Sequence, residues 1–150
     1  NTITWTNIVN MYSRMLPSSL GNAVWIAHID TLPQLAQMAL NVGTGGSAIW
    51  WTNGAEKYPM TILGRPVYFC EKAASVGSAG DINFVDLSYY LIGDRQTLMA
   101  DTSPHYKFAN DQTAMRFITR VDGRPWIQNA ITPQTGSNTL SPFVKIAVRA

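Results

Sequence analysis

Two histidines, one cysteine and nine carboxylates are the first places to look in this 150-residue chain for proton transfer, nucleophilic attack or metal binding. His28 and His105 have Asp30 and Asp101 as their nearest acids in sequence. Such a set could hold a metal or serve a hydrolase, but the H-E-x-x-H spacing that puts two imidazoles on one helical face is missing. Cys70 precedes Glu71, as a thiolate beside a carboxylate would; it also ends an apolar strand, where a thiol is buried and inert, and that second reading is preferred. Gly43 to Ser47 (GTGGS) has the glycines of a phosphate-cradling loop, yet Ala48 stands where the Lys-Ser/Thr pair would begin, so it reads as a flexible loop. Ser78 lies in GSAG, which is not the G-x-S-x-G turn that presents a nucleophilic serine. Asp81 with Asp86, and Asp94 with Asp101, are spaced for turn ends and are expected to be solvated or capping. Arg95 reads either as half of an exposed ion pair or as a planar fork for a carboxylate on an adjacent subunit. The expectation is therefore no catalytic residue, no metal site and no cofactor.

Composition narrows the class further. A chain of this length makes one domain able to bury roughly 68–70% of its unfolded surface. The apolar fraction of 46% is ordinary, whereas the charged fraction of 13% is about half the typical ~25%. Much of the surface must then be uncharged, as suits a protein packed against copies of itself. A net charge of +2 without a Lys/Arg cluster argues against binding nucleic acid by charge. A single cysteine excludes an internal disulfide framework and fits a reducing cytosol. No apolar run approaches the ~18 residues of a membrane span. The chain begins with Asn1 rather than Met, which reads as a fragment or processed product.

The elements that must position these residues follow from periodicity. Trp5, Ile8, Val9, Tyr12, Met15 and Leu16 draw one stripe down a helix from Thr4 to Leu16, stopped by Pro17. Ala23 to Ala27 reads as a strand. Asp30 or Thr31 caps a second helix with Leu32, Leu35, Ala36, Ala39 and Leu40 inward, ended by Asn41 and Gly43. Trp50 and Trp51 sit in an aperiodic stretch as an aromatic anchor, with a core pair and a subunit contact both open. Gly64 to Pro66 is a turn into a strand from Val67 to Cys70; Gly77 to Asp81 is another, into Ile82 to Val85. A third strand from Tyr89 to Ile92 closes at Gly93 to Arg95, with Thr97 to Thr102 as its antiparallel partner. A strand from Ala114 to Val121 leads to Asp122–Gly123, the strongest hairpin signal in the chain, with Trp126 and Ile127 returning. Phe143 to Val148 is the last strand. Strands outnumber helices in a segregated order, so the class is α+β with an antiparallel or mixed sheet.

The strings GRPVYFCEKA, GDINFVDLSYYLIGDR and QTAMRFITRVDGRPW, in this order, resemble the C-terminal half of tailed-phage major capsid proteins of the Hong Kong 97-type fold. The G-x-P-V strand entry of that family falls on Gly64 to Val67, and its G-D-x-x-x-x-D-x-S-x-Y-x-I-G-D-R segment on Gly80 to Arg95. The resemblance implies an axial domain over residues 1–106 and returning strands of a peripheral domain over 107–150. It implies a phage or prophage coat protein that assembles with itself into pentamers and hexamers of an icosahedral virion shell around double-stranded DNA. That DNA would be held without sequence-specific binding. No membrane is involved, assembly takes place in the host cytoplasm, and portal, scaffold and maturation protease are the further partners. Trp50, Trp51, Arg95, Asp122 and Gly123 are the expected subunit contacts. The arm, loop and spine helix that precede this region in the family are not in the sequence, so the chain alone is expected to be a monomer or small oligomer. An encapsulin shell shares the fold, but the phage strings favour the virion. From another class, a carbohydrate-binding module would use Trp50, Trp51 and Tyr58.

Overall fold

The computed structural model of the protein describes residues 2–40, 47–48 and 59–149. They form two compact units, Asn1–Ser88 with Ile127–Ala150, and Tyr89–Trp126.

The first unit begins with helix α1, Trp5–Ser13, whose N-cap Thr4 accepts a hydrogen bond from the Asn7 amide through Oγ1 at 3.4 Å. Ile8, Met11 and, past the helix end, Met15 are buried. That spacing keeps one face inward. Val9, expected on the same stripe, lies a further 100° round the helix and is exposed. Strand β1, Val24–Ala27, follows, then a short helix α2, Leu32–Ala36. Here the sequence reading needs correcting, because Ala39–Leu40 are not helical. They form β2, paired antiparallel with β3, Ser47–Ala48, which provides the backbone partners that further helix would have supplied.

Strands β4 (Thr61–Ile62), β5 (Arg65–Phe69) and β6 (Ile82–Val85) come next, and β9 (Phe143–Lys145) completes a sheet of order β4-β5-β1-β6-β9. Only β1 and β5 run parallel, so the sheet is mixed. Its registers place Val67, Trp25, Phe84 and Val144 side by side across four strands. Trp25 and Phe84 are fully buried and stack with ring centroids 4.1 Å apart. Tyr12 of α1 stacks on Phe84 at 5.5 Å, joining helix to sheet. The indole N–H of Trp25 donates to the Ile62 carbonyl at 3.1 Å, so the largest buried side chain leaves no polar atom unpaired. β9 is shorter than expected because the chain turns away after Ile146, which still exchanges backbone bonds with Ile82 and Gly80.

The turn before β5 is Leu63–Gly64 rather than Gly64 to Pro66, since Ile62 already pairs with Arg65. Both turn residues have positive φ, 51° and 71°, as a two-residue hairpin of the I′ type requires. Leucine pays about 1–2 kcal/mol for that conformation. Leu63→Asn is therefore expected to raise the melting temperature of the sheet unit by a few degrees in a thermal melt; an unchanged or lowered midpoint would contradict the strain.

The second unit is a two-stranded ribbon: β7, Tyr90–Lys107, against β8, Gln112–Pro125. Two expectations fail here. Tyr89 ends a short helical turn, Tyr90 to Ile92 and Thr97 to Thr102 belong to one long strand, and Asp122–Gly123 pairs inside the ladder with Gly93 and Ile92 instead of turning. The chain reverses at Phe108–Asn110 and Asp111, whose φ is 52°. The residue at 123 is glycine because a Cβ there would stand 2.6 Å from the Tyr90 ring that lies across it. Between paired residues, β7 has surplus residues at Arg95, in the 97–98 segment and between Ser103 and Lys107, while β8 runs unbroken.

Candidate functional site

The residues able to do chemistry are not gathered in one place among the described residues. His28 caps the turn Ile29–Thr31: its Nδ1 accepts from the Asp30 amide at 3.2 Å and lies 3.4 Å from the Asp30 carboxylate. His105 is exposed near the end of β7, in the other unit. Cys70 is exposed, contrary to expectation. Alternation from buried Val67 puts position 70 on the outward side, and the strand has ended before it. Ser78 shares a turn with Ser75, hydroxyl to hydroxyl at 3.3 Å. Among the described residues no three His, Cys, Asp or Glu side chains gather at a metal position, and no helix is long and apolar enough to cross a membrane. Trp50, Trp51, Tyr58 and Gly43 to Gly46 lie outside the described residues. An open groove of about 450 Å³ beside α1, lined by Asn7, Asn10, Met11, Arg14 and Lys145 among others, holds no carboxylate or imidazole.

Of the expected roles, solvated or capping, neither Asp81 nor Asp86 is solvated, since both are buried, while Asp86 caps the turn Leu87–Tyr89. Asp81 receives both terminal nitrogens of Arg149, one of them at 3.2 Å, and the Gly77 amide at 2.8 Å. Asp86 Oδ1 accepts from the Ser88 amide at 3.0 Å and the Ser88 hydroxyl at 2.7 Å. Burial works against its charge, but the hydrogen bonds from the Ser88 hydroxyl and the Ser88 amide hold its carboxyl below the ordinary value. A depressed folded pKa adds stability that is complete above the unfolded value and is lost as pH falls through the folded one. Ser88→Ala should therefore destabilise the protein at neutral pH and make stability fall less on acidification. Urea melts at about pH 6 and about pH 3 check this; equal losses at both would refute it.

The ribbon is where the surface departs from an ordinary one. Along β8 the odd positions Met115, Phe117, Thr119, Val121 and Pro125 face one way, and Arg116, Ile118, Arg120, Asp122 and Arg124 the other. The β7 residues opposite the odd set are Tyr90, Ile92, Asp94, Ala100 and Thr102. Ile92, Met115, Phe117 and Val121 keep 72%, 67%, 64% and 63% of their surface exposed. Scattered apolar residues on a surface need no explanation, but a contiguous face does. The even face carries the Asp101–Arg116 ion pair at 2.8 Å, exposed and so worth little. Of the expected contacts, Arg95 projects from the first bulge, exposed and without a carboxylate partner among the described residues. Asp122 is exposed on the even face and bonds the Gly123 amide at 2.8 Å; Gly123 lies under Tyr90. The sequence reading missed the odd face, although the alternation of positions 115 to 125 carries it.

The comparisons bear on this geometry. Two solved structures are similar to the chain. One is described as the capsid of an empty GTA particle computed with C5 symmetry: 21% identity, TM-score 0.63, covering 79% of this chain and 40% of that one. The other is described as the capsid of a native GTA particle computed with C5 symmetry: 20% identity, TM-score 0.65, covering 81% and 40%. This chain thus spans about 40% of the length of the solved chains it matches. The likeness establishes the α+β, Hong Kong 97-type fold. No curated protein matches the chain. The model of the phage capsid family matches residues 1–136. With nine-tenths of its length so matched and its fold that of capsid subunits, the chain belongs to the phage capsid family.

Proposed function

We propose that the chain is part of a major capsid protein whose copies close into pentamers and hexamers and tile an icosahedral shell around double-stranded DNA. The observation that supports this best is the ribbon. A lone two-stranded ribbon is marginal in water, and this one presents an apolar face to solvent. Burial of that face in the assembled subunits removes it from water and makes the ribbon stable. We place the axial body in the sheet unit and the peripheral strands in the ribbon. The division then falls at the ends of the ribbon, since position 106/107 lies at its turn. Arg95, free of intramolecular ion pairs among the described residues, is the side chain we assign to a carboxylate on a neighbouring subunit. The role is geometric and not catalytic, and the DNA is enclosed rather than read.

Expression of the capsid gene containing this chain, with sedimentation and electron microscopy of the product, tests the reading. Closed icosahedral particles, with nuclease-protected double-stranded DNA in those taken from producing cells, are the expected result. Protein that stays at the size of single subunits at assembly concentrations would refute it.

A further inference from the structure

We infer that the outer edge of β8 takes a third strand from the same subunit, from the part of the capsid polypeptide outside these 150 residues, which completes the ribbon into a three-stranded sheet. This rests on the capsid reading for the identity of that polypeptide, and on the ribbon alone for the edge.

In an antiparallel pair, alternate residues turn their N–H and C=O towards the partner strand and the others turn them away. Two bonds fix which is which in β8. The Trp126 amide donates to the Tyr89 carbonyl, so the even positions face β7, whereas the Gly123 amide, at an odd position, donates to the Asp122 side chain instead. Pro125, which has no N–H to give, also falls on an odd position. The amides of Thr113, Met115, Phe117, Thr119 and Val121 therefore point away from β7, along an edge about 30 Å long that no bulge interrupts. The outer edge of β7 is different. Surplus residues at Arg95, at 97–98 and between Ser103 and Lys107, with Pro104 among the last, leave it no regular row of donors and acceptors.

The side chains along β8 state what the added strand carries. Met115, Phe117 and Val121 are exposed on the odd side. On the even side Arg120 and Arg124 are exposed and form no ion pair among the described residues. A strand laid here alternates, apolar on the odd side and polar on the even, with Asp or Glu beside Arg120 or Arg124. Its source follows from when the edge must close. A lone two-stranded ribbon is marginal in water, and a long edge without bulges pairs with any strand it meets, so a subunit that kept it open until assembly would aggregate while still single. A strand of the same polypeptide arrives at the millimolar effective concentration of a tethered segment, ahead of any neighbour. Length allows this, since the match covers only 40% of each solved capsid chain and leaves more than half of such a subunit to supply the strand.

Hydrogen exchange read residue by residue, on the full-length capsid subunit held unassembled and on the 150-residue chain, tests the inference. The amides of Met115, Phe117, Thr119 and Val121 are expected to exchange about tenfold or more slowly in the unassembled subunit than in the 150-residue chain. Equal rates in the two would overturn the inference. So would slowing that appears only in assembled particles, because the strand would then belong to a neighbour. A pair of variants gives a second readout. Thr119→Pro deletes one outward N–H and spares the ladder to β7, while Thr119→Val loses the same hydroxyl but keeps the N–H. Relative to Thr119→Val, Thr119→Pro should lower the melting temperature of the full subunit by about 2–4 °C and leave that of the 150-residue chain unchanged; the same change in both, or none in either, would overturn the inference. Failure here is distinct from failure of the capsid reading. Particles whose odd amides slow only on assembly would end the inference and leave that reading intact, whereas protein that never forms particles would end the reading whatever the single subunit's exchange.

Discussion

Arg149→Met is expected to lower the unfolding free energy by about 3–5 kcal/mol, out of the ~5–15 kcal/mol that holds a typical domain together. The variant leaves the Asp81 carboxylate fully buried with the Gly77 amide still donating to it, where the native protein sets two guanidinium nitrogens against it. The size of the loss comes from that stranded charge. The attraction of the pair is largely offset by the cost of taking both ions out of water, so removing both should be far milder than removing one. Asp81→Asn combined with Arg149→Met is accordingly expected to regain most of the stability. Urea unfolding of the two variants measures this. If the double variant is as unstable as the single one, the pair does more than neutralise itself, and the argument from burial fails. Because Arg149 and Asp81 are 68 positions apart, the same experiment reports whether the last residues fasten the sheet.

Phe84→Ala should cost a similar amount, about 3–5 kcal/mol, for a different reason. Phe84 is fully buried between the Trp25 indole and the Tyr12 ring, with Val144 beside it in the sheet. Truncation loses its transfer free energy and leaves a cavity whose walls, two aromatic rings held by separate elements, cannot both collapse into it. Phe84→Leu, which keeps most of the volume, should cost less than half as much. The near-ultraviolet circular dichroism of the stacked rings gives a second readout, expected to fade in the Ala variant. A loss below about 1 kcal/mol for Ala would mean that the row Val67–Trp25–Phe84–Val144 is not the centre of the core.

Where the chain obeys one local rule at a time, its structure could be read in advance. Val24–Ala27 and Ile82–Val85 are short apolar runs between turn residues, and both are strands of the sheet. The apolar stripe from Trp5 is a helix, though it starts one residue after the expected Thr4, which caps it, and stops at Ser13 rather than Leu16. Legibility stopped where a distant partner decided the outcome. Nothing near Asp81 announces Arg149, so a buried ion pair passed for a turn carboxylate. Asp122–Gly123 is chemically the better turn, yet the chain reverses at Phe108 to Asp111, because only that register gives the β8 amides and carbonyls a full-length partner and leaves room at Gly123 for the Tyr90 ring. The bulges in β7 hid that strand by breaking its alternation. In β8 the alternation is complete, but Ile118 on the charged side and Thr119 on the apolar side blurred it. The apolar face of β8 was therefore present in the sequence as a pattern of period two, and the three bulges opposite kept it from being seen as half of a ribbon.

Those bulges also make the two strands unequal in their tolerance of length changes. β7 spends 18 residues on a path that β8 covers in 14. Removing Arg95 would bring Asp94 and Gln96 into uninterrupted pairing with Val121 and Arg120 without inverting a single side chain, and within the ribbon itself only some local twist would be lost. Taking one residue from the middle of β8 would instead exchange the two sides beyond the gap, turning arginines to where phenylalanine and methionine had been. Insertions and deletions among natural variants of this subunit should accordingly collect in the longer strand and spare the shorter.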